Sequence, residues 1–440
     1  MQRLGDSPQH NGKFGRCAWT GLVLVCLLLT SAFVIPISAQ DTPPDVPPQV
    51  GSRPDAPTYA LHGPYWVGTQ TFVGEDVDGP LDMRVWYPAL NSSGVEGSIS
   101  YTMHWKSEAL GFTRDQLLVL IAGHALADAE VDLSAAPYPL VIFSHGHTSE
   151  SPLYAWLVEQ IASYGFVVVA PDHKEQNFPD GADYPRTTLA RPVTVTRSID
   201  YAELLTAPTG ALAGMIDMER VAMVGHSGGG ETTLSVGGGR FDLAGYKALC
   251  APITADSPWG YQNQCTPMPT ETEAEMVNIL GLATTPEGLW EPLSDSRIDA
   301  LVPISAPGVL FNDQGLSGIT LPTLVMSGTL DGTVPFDWGS RMIYDHITSN
   351  QKILVAFELG DHQMFTSTYE DAPTTVELLG NDFYSLYSDP VWDMDRVHDL
   401  ANHFITAFLL DQLKGDADAH AALATEAVSF PGITYEAQGF

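Results

Sequence analysis

An α/β fold with a mostly parallel sheet is what this sequence predicts, and three observations predict it. Short, wholly apolar runs alternate with helical stretches between about Tyr65 and Leu413, as strands buried on both faces and covered by helices must. One such run closes the expected strand Arg220–Val224 and leads directly into Gly225-His226-Ser227-Gly228-Gly229 and then into a helix-forming stretch. Finally, an Asp and a His, Asp331 and His362, each stand just beyond a later apolar run, in that chain order.

Taken in order, Leu81–Tyr87 alternates and stops at Pro88, which reads as an early strand paired antiparallel with Val67–Val73. Residues 91–137 are polar, then amphipathic around Asp115–Ala127, and read as an excursion above the sheet. Leu140–Phe143 is a short buried strand, followed by a helix over Leu153–Tyr164 and a strand Phe166–Ala170 closed by Pro171. A helix is expected over Thr196–Leu205, the strand Arg220–Val224 follows, and a helix opens after Ser227 and reaches about Val236. Residues 240–297, rich in Pro, Thr and Glu, break the alternation and read as an insertion. Strands Ala300–Ser305, Thr323–Ser327 and Ile353–Glu358 then follow, with a helix over Trp338–Ile347 and a last amphipathic helix over Met394–Leu413.

Composition bounds the remaining choices. With 440 residues and 44% hydrophobic content there is material for one large domain with insertions. Only 16% of residues are charged, and 53 acidic against 19 basic residues leave a net charge of −34. That balance repels phosphate backbones, so nucleic acid is excluded as a partner, and it disfavours anionic lipid. A cationic partner would suit the charge, but no other feature supports one.

Arg3, Lys13 and Arg16 precede an apolar run from Ala18 to Ile37, and Pro36 with Ile37-Ser38-Ala39 resembles a small-residue processing site. This reads as a secretory signal at residues 1–39 with Gln40 as the first mature residue, or as an uncleaved membrane anchor. A secreted, periplasmic or extracellular location follows, with the membrane met only through such an anchor. Residues 40–60 are Pro-rich and aperiodic, a linker. The catalytic domain is expected over 61–415, with insertions at about 91–137 and 240–297, and residues 416–440 as a tail. Cys17 and Cys26 lie in or beside the apolar segment, which leaves Cys250 and Cys265, a pair expected to form a local disulfide.

The chemistry centres on Ser227. A G-x-S-x-G sequence between a strand and a helix makes a sharp turn in which small neighbours let the serine hydroxyl project. A serine hydroxyl is a poor nucleophile until a base takes its proton, and the base needs an acid to orient it. In such sheets the order is Ser, acid, His, each in a loop after a strand. Asp331 follows Thr323–Ser327, and His362 follows Ile353–Glu358. Asp313 is the rival acid; Asp299 precedes its strand, and Asp361 points elsewhere if His362 points inward. His398 and His403 fall on the last helix and read as surface or core residues. Two backbone N–H groups should hold the oxyanion, those of Gly228 and of His147 in the loop Ser144-His145-Gly146-His147. His145 and His147 lack a third ligand at suitable spacing, so no metal is expected.

The segments GPYWVGTQTF, MRVWYPA, YPLVIFSHGHTS, ASYGFVVVAPDH, ERVAMVGHSGGG and LVMSGTLDGTVP, in that order, resemble the platelet-activating-factor acetylhydrolase and dienelactone-hydrolase-like branch of the α/β hydrolases. The resemblance runs discontinuously from Gly63 to Leu413 and implies the α/β-hydrolase fold, a Ser–Asp–His triad and no cofactor. Ser227 and His362 carry over. The acetylhydrolases proper place their Asp after the earlier strand, where this chain has Ile304-Ser305-Ala306-Pro307, whereas Asp331 matches the commoner position in the superfamily. Dienelactone hydrolases proper use Cys where this elbow has Ser227.

The expected function is hydrolysis of small-molecule carboxylic esters with hydrophobic acyl or aryl groups. The two insertions wall the pocket, with Trp105, Phe112 and Trp259 as apolar contributors. A polyester- or lipid-degrading hydrolase with the same triad and a non-catalytic surface protein on this scaffold are the alternatives.

Overall fold

The computed structural model describes residues 46–76, 79–104, 118–173, 184–265, 270–372 and 385–440. Ten strands form one sheet in the order β12-β11-β10-β9-β8-β6-β7-β2-β1-β5. The first pair, β1 (Trp66–Asp76) and β2 (Gly79–Ala89), is antiparallel, and β5 (Leu126–Ala127) borders β1. The middle of the sheet is parallel: β6 (Tyr138–Ser144), β7 (Val167–Pro171), β8 (Ile216–His226), β9 (Ile298–Ile304), β10 (Thr323–Gly328) and β11 (Lys352–Phe357).

The period-two pattern of these strands divides the interior into two layers. Val141 and Phe143 of β6, Ala222 and Val224 of β8, and Leu324 and Met326 of β10 face one side. There they meet α1 (Ala155–Ser163) and the long helix α9 (Met394–Lys414). Leu140 and Ile142, Val221 and Met223, and Val325 face the other side. That layer is closed by α2 (Tyr184–Thr206), α3 (Gly228–Val236), α4 (Leu243–Cys250), α6 (Thr270–Ile279) and α8 (Ser340–His346). Because both faces are covered, the buried stretches of the central strands, such as Leu140–Phe143 and Val221–Val224, are apolar at every position. That is why short unalternating runs announced them.

Helix α9 shows how the ends are fixed. Asp393 accepts from the Arg396 N–H at 2.9 Å, an N-cap worth about 1 kcal/mol, and Gly415 stops the helix in the left-handed region at φ 64°. Val397, Leu400, Ala401, Phe404 and Phe408 bury one flank, and even His398, Asp399 and His403 are buried.

Several expectations change. Helix α2 begins at Tyr184 rather than Thr196. Its first half is dense in β-branched residues and contains Pro192, all poor helix formers, so tertiary burial of Leu189, Arg191 and Val195 overrides propensity. The excursion at 91–137 contributes a separate antiparallel pair, β3 (Ile99–His104) with β4 (Leu118–Gly123). It is anchored where Tyr101 Oη donates to the buried Glu159 carboxylate at 2.5 Å, and the N–H groups of His124 and Ala125 also donate to Glu159.

Residues 416–440 are not a free tail. They include β12 (Ile433–Gln438), which pairs antiparallel with β11 as the edge of the sheet. The Pro-rich linker is docked from Val50 onward, where Ser52 and Arg53 N–H groups donate to Asp399 at 2.8 and 3.0 Å. The insertion at 240–297 is packed rather than loose. Phe241, Tyr246, Met276 and Trp290 enter the second core layer, and α4 is joined to α5 (Trp259–Cys265) by the Cys250–Cys265 disulfide. Trp105 and Phe112, like the apolar run at 18–37, lie outside the described residues. Among the described residues no helix is long and apolar enough to cross a membrane.

Burial lowers the His398 and His403 imidazoles from 6.5 to about 4. A histidine held neutral in the fold but free to protonate when unfolded contributes its full stability above pH 6.5. It loses that stability progressively as pH falls toward the folded value, by up to about 3 kcal/mol each. Urea midpoints measured between pH 7.5 and 4 should therefore drop, and His403→Gln should make that fall shallower by about one proton. An unchanged slope in the variant would refute the assignment.

Candidate active site

The C-terminal ends of the parallel strands gather the candidate residues at one end of the sheet, as open α/β sheets do. Ser227 sits between β8 and α3 with φ 55° and ψ −118°, a conformation unfavourable for a residue with a side chain. Its neighbours make the turn possible. A β-carbon on Gly225 would stand 2.2 Å from the Gly229 oxygen, and one on Gly229 would stand 1.9 Å from the Ser144 oxygen. Any side chain at either place would push the elbow apart. The Ser227 N–H is fixed to the Ile304 carbonyl at 2.8 Å, so the turn is braced against the next strand.

His362 opens a short 3-10 helix (His362–Phe365) after β11, and Asp331 lies in the loop after β10. The structure brings both to Ser227. His362 Nε2 is 2.9 Å from Ser227 Oγ, and His362 Nδ1 is 2.7 Å from Asp331 Oδ2. The other Asp331 oxygen accepts from the N–H groups of Thr333 at 2.9 Å and Val334 at 2.7 Å. Both His362 and Asp331 are buried. A buried carboxylate so paired can orient an imidazole, and an imidazole at this distance can take a hydroxyl proton.

The rival carboxylates lie elsewhere. Asp313 is exposed at the start of α7 (Asn312–Leu316) and accepts from Gln314 N–H. Asp299 accepts from Val221 N–H at the opposite end of the strands. Asp361 caps the 3-10 helix through the His362 N–H and also accepts from Gly332 N–H, which ties the two loops together.

The amides assigned to the oxyanion are adjacent. Gly228 is the first residue of α3, so its N–H has no intrahelical acceptor. A β-carbon on Gly228 would stand 3.3 Å from the His147 nitrogen. His145 is engaged within the protein, with Nδ1 2.8 Å from the Gly146 oxygen and Nε2 accepting from His173 N–H. Tyr154 lies beneath this loop, accepting from Gly146 N–H at 3.1 Å and contacting His226 Nδ1 at 2.9 Å. His226 Nε2 in turn lies 3.3 Å from the His362 carbonyl oxygen. Burial, with the neighbouring His362 adding to it, holds His226 well below the ordinary histidine range. Tyr154 carries no motif in the sequence; an aromatic at the start of a helix reads as core.

The disulfide segment buttresses the acid loop. Gln264 Nε2 donates to the Thr333 carbonyl at 2.9 Å, Tyr261 Oη donates to Asp337 at 2.8 Å, and a β-carbon on Gly260 would meet the Gly332 oxygen at 2.6 Å. Beside the loop after β6 is a cavity of about 140 Å³ lined by Met103, His104, His147, Leu153, Gln363, Leu386 and Tyr387 among others. Trp259 is 62% exposed and does not line it.

Compared with known families, residues 131–271 match chlorophyllase and residues 50–179 match platelet-activating factor acetylhydrolase, isoform II. Cutinase est2 of Thermobifida alba is 36% identical over 124 residues, 28% of this chain and 35% of that protein. Platelet-activating factor acetylhydrolase of Cavia porcellus is 27% identical over 124 residues, 26% of this chain and 28% of that one. The chain thus spans well under half the length of these relatives. A solved structure, ferulic acid esterase from Streptomyces cinnamoneus, aligns with a TM-score of 0.49 at 18% identity, covering 84% of this chain and 96% of that chain.

Because α5 rests on the loop that carries Asp331, breaking the Cys250–Cys265 bond should loosen both. Replacing both cysteines by serine is expected to lower stability by about 3 kcal/mol, the entropy of closing a loop of this length. Hydrogen exchange at Thr333 and Val334, whose amides hold Asp331, should rise with it. Unchanged protection there would separate the disulfide from the acid loop.

Proposed function

We propose that this member of the α/β-hydrolase superfamily is an exported serine esterase that cleaves carboxylic esters through an acyl-enzyme. The observation that carries the reading is the continuous chain from Ser227 Oγ through His362 to Asp331, at 2.9 and 2.7 Å. Ser227 attacks the ester carbonyl as His362 Nε2 takes its proton, and Asp331 balances the imidazolium. The N–H groups of Gly228 and His147 receive the developing oxyanion. His362 then returns the proton to the departing alcohol. A water that gives its proton to His362 attacks the acyl-enzyme, and the acid leaves as Ser227 recovers its hydrogen.

The cavity beside His147 is on the scale of a site that takes a benzene ring, ~150 Å³, and Met103, Leu153, Leu386 and Tyr387 give it apolar walls. Esters with an aryl or a short to medium hydrophobic group suit it. The disulfide accords with an oxidising compartment outside the cytosol.

Hydrolysis of p-nitrophenyl esters of graded acyl length is the direct test. Ser227→Ala and His362→Ala are expected to lower kcat by about 10⁶-fold, and Asp331→Asn by about 10⁴-fold. A folded Ser227→Ala protein with turnover intact would end the reading.

A second reading, a polymeric ester, is favoured by one feature. Trp259 and Leu330 are 62% and 60% exposed on the segments that meet at Gly260 and Gly332, beside the acid loop. Replacing Trp259 and Leu330 by Ser should then slow hydrolysis of polyester film by tenfold or so while leaving soluble esters unaffected, a loss of roughly 1.4 kcal/mol of surface binding. Equal effects on film and soluble ester would remove this reading.

A further inference from the structure

The loop after β6 must hold one peptide in a single orientation if the His147 N–H is to meet an oxyanion. Gly146 by itself does not impose one, because glycine accepts both signs of φ at little cost. The next residue but one, Thr148, is held at φ 57°, so the loop is constrained from outside. Arg191 supplies a constraint. It lies on α2, is 4% exposed, and points its guanidinium fork up at this loop. Nη1 donates to the His145 carbonyl at 2.7 Å and reaches Ser144 Oγ at 3.4 Å, and Nη2 donates to the Gly146 carbonyl at 3.2 Å. His145 Nδ1 meets the same Gly146 oxygen at 2.8 Å.

Across a trans peptide the carbonyl and the following N–H point in opposite directions. With the Gly146 oxygen drawn toward Arg191 and His145, the His147 N–H must face away from them. On that other side lies Gly228, whose β-carbon position is 3.3 Å from the His147 nitrogen. The carbonyl could otherwise turn into the site and present an acceptor where a donor is needed.

We infer that Arg191 is a positioning residue of the ester-hydrolysing site: its fork, fastened on the carbonyls of His145 and Gly146, sets the Gly146–His147 peptide with its N–H toward the oxyanion. The inference rests on the esterase reading above. A guanidinium is suited to this role because its donors are fixed in one plane and it stays charged. A lysine could reach one carbonyl but could not hold both in register.

The test uses the full chain with Arg191→Met and Arg191→Lys. For each, kcat and KM are measured on a p-nitrophenyl ester, together with inhibition by an aryl trifluoromethyl ketone and by the matching secondary alcohol. The ketone forms a hemiketal with Ser227 whose oxyanion needs the same donors; the alcohol forms none. Losing one donor should lower kcat by about 10²–10³-fold in Arg191→Met, with KM within threefold or so. Ketone affinity should fall by a like factor while the affinity for the alcohol holds. Arg191→Lys should show the same split at roughly a tenfold loss, the size of one weakened bond to a charged group, and decides alone if the Met variant does not fold. A folded variant with wild-type kcat and ketone affinity overturns the inference and leaves the esterase reading standing, as does a loss of kcat without loss of ketone affinity. A wild type that cleaves no ester, beside an equally inactive Ser227→Ala, defeats the esterase reading and this inference with it.

Discussion

The strained turn at Ser227 is the constraint on which the rest of the site depends. A side-chain-bearing residue at φ 55° costs on the order of 1–3 kcal/mol and persists only if its surroundings hold it there. Here they do so from three sides. The Ser227 N–H is bonded to Ile304 on β9, Gly225 closes on Gly229 across the turn, and Gly229 lies against the Ser144 carbonyl at the end of β6. The last contact has a consequence beyond sterics. It sets the elbow directly against the end of β6, where the loop holding His147 begins.

The same logic applies to the loop that carries Asp331. The acid loop after β10 is held by Asp361 from the histidine side and by α5 from the insertion side. Without those two supports, a loop of polar residues between Gly328 and Val334 would have many conformations and a buried Asp331 only in a few. The disulfide belongs to this arrangement. It fastens α5 to α4, and Tyr246 and Leu243 of α4 are in the core, so the brace on the acid loop is tied to the second core layer.

Legibility in the sequence follows burial and covalent neighbourhood. The parallel strands could be read because both faces are covered, which makes Leu140–Phe143 or Val221–Val224 apolar at every position. Ser227, Asp331 and His362 could be picked out because each stands next to such a strand, and the structure brings the same three within hydrogen-bond distance. Edge strand β12 could not be read as easily. Ile433, Tyr435 and Ala437 alternate with exposed residues and are only half-buried, so the segment lacks the apolar run that marked its neighbours. Helix α2 was hidden for another reason, since Thr, Val and Pro192 argue against a helix that the second core layer nonetheless requires. Arg191 and Tyr154 had no signal at all, because each acts across the fold on a backbone group that sequence does not specify.

His226 shows how such an unsignalled contact can decide the chemistry of a signalled one. As the residue before the nucleophile it looks like a free choice within the elbow motif, yet it is enclosed between Tyr154 and the 3-10 helix of His362. The His362 carbonyl can only accept, so in a neutral His226 ring Nε2 donates to it and Nδ1 accepts from the Tyr154 hydroxyl, which itself accepts from Gly146 N–H. That assigns the imidazole proton to Nε2, which faces the His362 carbonyl. A second proton on the ring would make the Tyr154 hydroxyl turn its own proton elsewhere, and would place a positive charge 4.9 Å, ring centre to ring centre, from the His362 imidazole. That charge would oppose formation of an imidazolium at His362, which the proposed proton transfer from Ser227 would create. Burial, by holding His226 well below the ordinary histidine range, removes both at once. The neutral ring then serves as a fixed strut between the loop that would receive negative charge and the base that would receive the proton.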